Sequence, residues 1–217
     1  MVKYSKNENF FTEPSVLNSY WAGFIAADGC ISKNRLTIGL SSKDSIVLER
    51  FKTDIEYNGK IYIVNQFDKR TKKIYTRNVI RITSKTIIND LLLHWNISER
   101  KSIILTHPNL SELKYELAYI IGYIDGDGCI SVAKAKDCNS THLHLIIAGT
   151  ESTLKWIHSI ENQIIDNEYN CSISKRKENC FVYDTTRQRA YKFLSLLKDF
   201  GMKNSLPILS RKWDKVT

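Results

Sequence analysis

Two aspartates stand where chemistry is possible. Asp28 lies in GFIAADGCIS at residues 23–32, and Asp127 in GYIDGDGCIS at 122–131; the stretches share Gly, Ile, Asp, Gly, Cys, Ile and Ser at equivalent places. In each, an apolar helical run ends on a carboxylate followed by glycine. The C-terminus of a helix carries partial negative charge, so a carboxylate there is unfavourable. Gly23 and Ala27, like Gly122 and Gly126, are four residues apart and share a helix face. Small residues so placed let two backbones approach, and the two helices are expected to pack together, joining both carboxylates and both negative ends. Cations relieve that arrangement. A hard divalent ion with oxygen ligands, Mg²⁺ above all, suits it. Held between two carboxylates, such an ion can activate water and stabilise a leaving oxygen in phosphodiester hydrolysis. The glycine after each aspartate is expected to take a left-handed cap conformation; the plainer alternative for the aspartates is that each only caps a turn, as Asp-Gly does.

The elements around the aspartates repeat with them. A helical pattern precedes each (PSVLNSYWAGFIAA and SELKYELAYIIGYIDG) and strand-like residues follow (CISKNRLTIGLSS and CISVAKAKDCNSTHLHLIIAG). Then come an amphipathic helix (KDSIVLERFKTDI or ESTLKWIHSIENQII), two more strands (KIYIVNQF with IYTRNVIRITS, CSISKRK with CFVYDTT) and a closing helix (KTIINDLLLHW or QRAYKFLSLLKDF). The fold class is α+β, an α-β-β-α-β-β-α unit present twice, with domains at 1–108 and 109–217. THPNLS at 106–111 is the joint, and Ser111 is the expected N-cap of the next helix.

The 217 residues carry 32 Lys+Arg against 23 Asp+Glu, a formal +9. The excess is uneven, +7 in residues 1–108 and +2 in 109–217. Such a surface favours a polyanion, most simply nucleic acid. The N-terminal residues MVKYSKNENF contain no apolar signal core and no run approaches a membrane span, so a soluble intracellular protein without a membrane partner is expected. The five cysteines form no CxxC pair, which suggests neither a disulfide framework nor a zinc site. Cys30 and Cys129 are expected to be small buried residues.

The two motifs, WAGFIAADG at 21–29 and IIGYIDGDG at 120–128, resemble those of the LAGLIDADG homing endonucleases in their single-chain, two-motif form. The resemblance covers nearly the whole chain. It implies that the motif helices form the domain interface. It implies that Asp28 and Asp127 are catalytic and bind Mg²⁺, with Mn²⁺ or Ca²⁺ able to substitute in binding. The backbone of Ala27 and of Gly126 would add metal ligands. Each half would lay a four-stranded antiparallel, saddle-shaped sheet in the major groove of double-stranded DNA, and a monomer would cut both strands of a long asymmetric target. The family also places a basic residue after the last helix of each half, here Lys101 and, less closely matched, Lys203. Ser42 and Thr150 are candidate water-organising positions. The earlier acidic place of the motif is Asp125 in the second copy but Ala26 in the first. Intron RNA, bound by a maturase, is the alternative partner, and a DNA-binding protein without catalysis a further one.

Strand alternation indicates which residues would face DNA. In the first half Leu36, Ile38, Leu40, Ile74, Ile80 and Ile82 are expected inside, leaving Arg35, Thr37, Tyr75, Arg77 and Arg81 outside. Ser32 and Asn34 share the parity of Asp28, and Gln66 lies on the neighbouring strand. In the second half Leu143, Leu145 and Ile147 go inside, with Ser131, Lys134, Lys136, His142, His144 and Ser174 as DNA contacts. Arg, Asn and Gln on such a face can read base edges. Lys69, Arg70 and Lys72 at one hairpin tip, and Lys175, Arg176 and Lys177 at another, would hold phosphates. His142 and His144 form an H-x-H pair with no evident third ligand.

Overall fold

A computed structural model describes residues 4–134, 141–168 and 173–216. Helix α1 (Val16–Asp28) runs into strand β1 (Gly29–Ser32); β2 (Arg35–Ser41), α2 (Ser45–Asp54), β3 (Ile61–Asp68), β4 (Lys73–Thr83), α3 (Lys85–Trp95) and the short α4 (Lys101–Ile104) follow. The order then repeats: α5 (Leu113–Asp127), β5 (Gly128–Lys134), β6 (Thr141–Gly149), α6 (Glu151–Ile165), β7 (Ser174–Lys177), β8 (Cys180–Thr186), α7 (Arg187–Lys203) and the short α8 (Ser210–Trp213). The strands form two four-stranded antiparallel sheets, β1-β2-β4-β3 and β5-β6-β8-β7. Among the described residues no helix is long and apolar enough to cross a membrane.

α1 starts at a capping box. Ser15 Oγ accepts from the Asn18 amide at 3.2 Å, and Asn18 Oδ1 accepts from the Ser15 amide at 2.7 Å. Nearly every later residue of α1 is buried, and α5 is buried along Ala118–Asp125. Helices apolar on all sides belong at the centre of a fold. α1 and α5 pack against each other, and their glycines set the approach. A Cβ on Gly23 would lie 1.9 Å from the Tyr119 carbonyl oxygen; one on Gly122 would lie 1.9 Å from that of Tyr20. The contact is reciprocal, each glycine receiving the carbonyl of the other helix. Near the helix ends a Cβ on Gly126 would meet Ala27 Cβ at 2.3 Å.

One acid is buried in this interface. Asp125 is 1% exposed and accepts hydrogen bonds from Tyr20 Oη on α1 (2.8 Å), the Leu209 amide (3.1 Å) and Trp213 Nε1 (2.7 Å). Burial pushes its carboxyl up to about 6, against these hydrogen bonds and the Lys212 charge, which favour the anion. Ala26, its counterpart in the first motif, is simply buried.

Four local expectations are corrected. Gly29 and Gly128 are extended (φ −75° and −83°), not left-handed. Glycine is needed there because a Cβ would come within 2.6 Å of the Ile25 or Ile124 carbonyl oxygen as the chain turns straight from helix into strand. That turn points Gly29 and Ile31 inward, so Cys30, like Cys129, is exposed rather than buried. Ile74 keeps the core parity, but the β3–β4 hairpin extends past the core and leaves it 68% exposed. Helix α5 is capped by Glu112, one residue beyond Ser111, with no side-chain capping bond.

Two consequences can be measured by denaturant unfolding. Gly122→Ala lowers the unfolding free energy by about 3 kcal/mol or more, because a methyl is forced onto a backbone carbonyl. Gly39→Ala, where the nearest atom is 3.4 Å away, changes it by less than about 1 kcal/mol. Ionising Asp125 opposes folding, since its folded value lies above the unfolded one; stability present below pH 4 is lost as pH rises through about 6. Between pH 4 and 7 the isosteric, neutral Asp125→Asn therefore improves relative to wild type by up to about 3 kcal/mol; a pH-independent difference contradicts the assignment.

Candidate active site and nucleic-acid interface

Asp28 and Asp127 are the last residues of α1 and α5, and both are exposed. The helix ends that carry them abut: a Cβ on Gly126 would lie 3.4 Å from the Asp28 amide nitrogen. Lost hydration pushes both carboxyls above the ordinary range, and the Asp28 charge adds to the rise at Asp127.

The negative ends are met by two lysines. Lys101 Nζ donates to the Ala26 and Ala27 carbonyls, both at 2.5 Å. Lys212 Nζ lies 2.7–3.2 Å from the carbonyl oxygens of Ile124, Asp125, Gly126 and Gly128. Each lysine thus closes the helix of its own half. Burial lowers the pKa of both, and the aspartates oppose that shift. Both lysines favour the anionic form of both aspartates, against the larger effect of burial, and Asp125 is the carboxylate that acts most on Lys212. A pocket of about 200 Å³ is lined by Lys101 and Asp127 together with Ala27, Tyr123, Thr150 and Cys180.

Lys203 is not part of this arrangement. It lies exposed at the end of α7, and the chain continues through Pro207 into α8 before a lysine reaches the motif. The position belongs to Lys212. A signal was present: the Arg-Lys pair at 100–101 recurs at 211–212. It was masked by spacing, 85 residues from Asp127 to Lys212 against 73 from Asp28 to Lys101. Thr150 is also committed elsewhere, as the N-cap of α6 with its hydroxyl donating to the Leu105 carbonyl at 2.6 Å. Ser42 is exposed in the turn before α2. Beside it Asp44 makes a two-pronged ion pair with Arg211 at 2.8 and 3.0 Å, joining the two halves.

A divalent ion fits these residues in part. Two carboxylates at adjoining helix ends offer hard oxygen donors. The carbonyls of Ala27 and Gly126 already accept from lysine, which leaves each one lone pair. Among the described residues no group of three or more His, Cys, Asp or Glu converges as a metal site. Water and substrate oxygens would have to complete the coordination.

The first sheet turns a basic face to the side of Asp28. Its register pairs Ser32 with Arg35, Thr37 with Arg81 and Gln66 with Tyr75, so these side chains share one face with Arg77. The Arg77 guanidinium donates to the Gly39 carbonyl, and its charge weakly favours the Asp28 anion against the larger effect of burial. Arg77 Nη1 is 3.3 Å from Gln66 Oε1, and the Arg81 guanidinium stacks 5.6 Å from the Tyr62 ring centroid. Asn34 is exposed in the β1–β2 turn, and Lys69, Arg70 and Lys72 are exposed at the β3–β4 tip. In the second sheet Ser131 pairs with His144, and His142 shares their face. His144 is bound to Asp184 at 2.6 Å rather than being half of a metal pair with His142. Lys134 falls on the opposite face, the parity of Ile130. Ser174, Lys175, Arg176 and Lys177 are exposed along β7, and Lys136 lies outside the described residues.

No family model matches the sequence, and no curated protein does. Solved structures do resemble it. The homing endonuclease I-WcaI bound to its DNA recognition sequence superposes with a TM-score of 0.61 at 11% identity, over 93% of this chain and 86% of that one. I-SmaMI, bound to uncleaved DNA target in the presence of calcium ions, gives 0.54 at 14% identity, over 88% and 86%. The N-terminal LAGLIDADG domain of DUF199/WhiA gives 0.52 at 15% identity, over 100% and 90%. Repeated motif helices that meet at their glycines, each feeding a four-stranded antiparallel sheet, make the fold of this chain that of the LAGLIDADG homing endonucleases.

Proposed function

We propose that the protein is a metal-dependent, site-specific double-strand DNA endonuclease acting as a monomer, built from domains 1–108 and 109–217. The observation that carries this reading is the meeting of Asp28 and Asp127 at abutting helix ends, each beside a lysine and next to a basic sheet face. The DNA complexes of I-WcaI and I-SmaMI support DNA as the partner, and the calcium in the latter supports a divalent cation.

Asp28 and Asp127 would hold the cation, which when bound lowers the pKa of water and offsets charge on a phosphate. Lys101 and Lys212 would hold positive charge beside the phosphate as negative charge develops on it. They also keep the helix ends closed, fixing the two carboxylates. Arg35, Arg77 and Arg81 would read base edges or hold backbone, with the hairpin tips gripping phosphates. Two halves that differ in sequence would read an asymmetric site. The same fold in a protein that only binds DNA or intron RNA would keep the basic face and have no need of the aspartate pair.

Selection of bound and cleaved sites from a random duplex library with Mg²⁺ tests this. Wild type is expected to break both strands of its selected site. Asp28→Asn and Asp127→Asn each lose at least about a hundredfold in cleavage while retaining binding. An enzyme that binds a defined duplex and never cuts it overturns the reading, as does an Asn variant that cuts at the wild-type rate. Arg77→Ala and Arg81→Ala each reduce the slope of log affinity against log salt by about 0.9 if they contact phosphate. An unchanged slope assigns them to bases or to no contact.

A further inference from the structure

We infer that Asp125 is a positioning residue, docking the segment 206–216 so that Lys212 is delivered to the end of α5, where the two motif helices abut. The consequence for cleavage rests on the endonuclease reading above; the docking itself does not. Lys212 stands between the two tail residues that Asp125 holds, Leu209 through its amide and Trp213 through its indole N–H. The Tyr20 hydroxyl, from the first half, lies 2.8 Å from Asp125 Oδ2 and 2.9 Å from the Pro207 carbonyl, tying the same segment to α1. Arg211 reaches Asp44 across the halves. Lys215 donates to the Ile130 carbonyl at 2.7 Å. Lys212 is only 7% exposed, and its ammonium is held against the carbonyls at the end of α5.

The first half holds its lysine by other means. Ala26 replaces the acid, and the segment carrying Lys101 is fixed through the Leu105 carbonyl, which accepts from the hydroxyls of Thr150 and Thr153. The two lysines therefore depend on different contacts. Loss of Asp125 releases Lys212 and leaves Lys101 in place. Since Lys212 closes the end of α5 and Lys101 the end of α1, one strand should lose cleavage before the other.

Two readouts test this in the 217-residue chain. The first needs no DNA: acylation of lysine amines followed by mass spectrometry. Asp125→Ala raises the labelling rate of Lys212 about tenfold, the value of one lost charge-assisted hydrogen bond, with Lys101 unchanged; Asp125→Asn, which keeps an acceptor, restores much of the protection. The second uses a supercoiled plasmid carrying the selected site. Asp125→Ala accumulates nicked circles where wild type gives linear product, and Asp125→Asn recovers linear product. A merely destabilised protein would slow both strands together and expose both lysines, and either result overturns the inference. Should Asp125→Ala not fold, Trp213→Phe removes one donor and must still raise Lys212 labelling selectively. If wild type leaves the plasmid uncut, the endonuclease reading fails, and the labelling still decides whether Asp125 positions Lys212.

Discussion

The structure depends on the close approach of α1 and α5. Helix backbones meet at Gly23 and Gly122, each seated against a carbonyl of the other helix, and no larger residue fits either place. This contact joins the two halves and sets the register in which the helices end. Because Asp28 and Asp127 close the two helices, that register also brings their carboxylates to one place. The same atoms that hold the protein together therefore create its most unfavourable electrostatics, two helix C-termini and two acids side by side. The molecule answers with Lys101 and Lys212. Two carboxylates and two ammonium groups balance formally, and the lysine protons satisfy carbonyls at the two helix ends. A divalent cation entering this quartet adds positive charge, which the phosphates of a nucleic acid would match.

The halves share a topology but not a surface. The first sheet is rich in arginine on its outward face, while the second carries histidines there and engages one of them with Asp184. The segments that bring the lysines differ as well. Each crosses to the other half, Leu105 to the hydroxyls of Thr150 and Thr153, Arg211 to Asp44. A duplicated unit thus became one body through reciprocal crossings, with a buried acid at only one of them.

Much of this was legible in the sequence because it is periodic. The repeated motif, the glycine pairs four apart and the alternation of β2 and β6 each report a regular geometry, and Leu36, Ile38, Leu145 and Ile147 lie inside as alternation requires. What escaped is irregular. Gly29 resembles a left-handed cap in sequence, yet serves because the chain turns without room for a Cβ. That turn decides the parity of Cys30 and Cys129. Ile74 shows that alternation gives a face but not where a core ends. Lys212 was missed because the second copy is longer after its last helix, so that Lys203 occupied the expected distance. The role of Asp125 depends on Tyr20, Leu209 and Trp213, three residues distant in the chain that no local pattern connects.

The juxtaposition of the two motif acids is tested most directly by titrating the Asp127 carboxyl by carbon NMR in wild type and in Asp28→Asn. With the two helix ends in contact, the wild-type midpoint lies above the ordinary aspartate value and falls when the neighbouring charge is removed. An Asp127 midpoint that is the same in both proteins would place the two carboxylates apart and contradict the account.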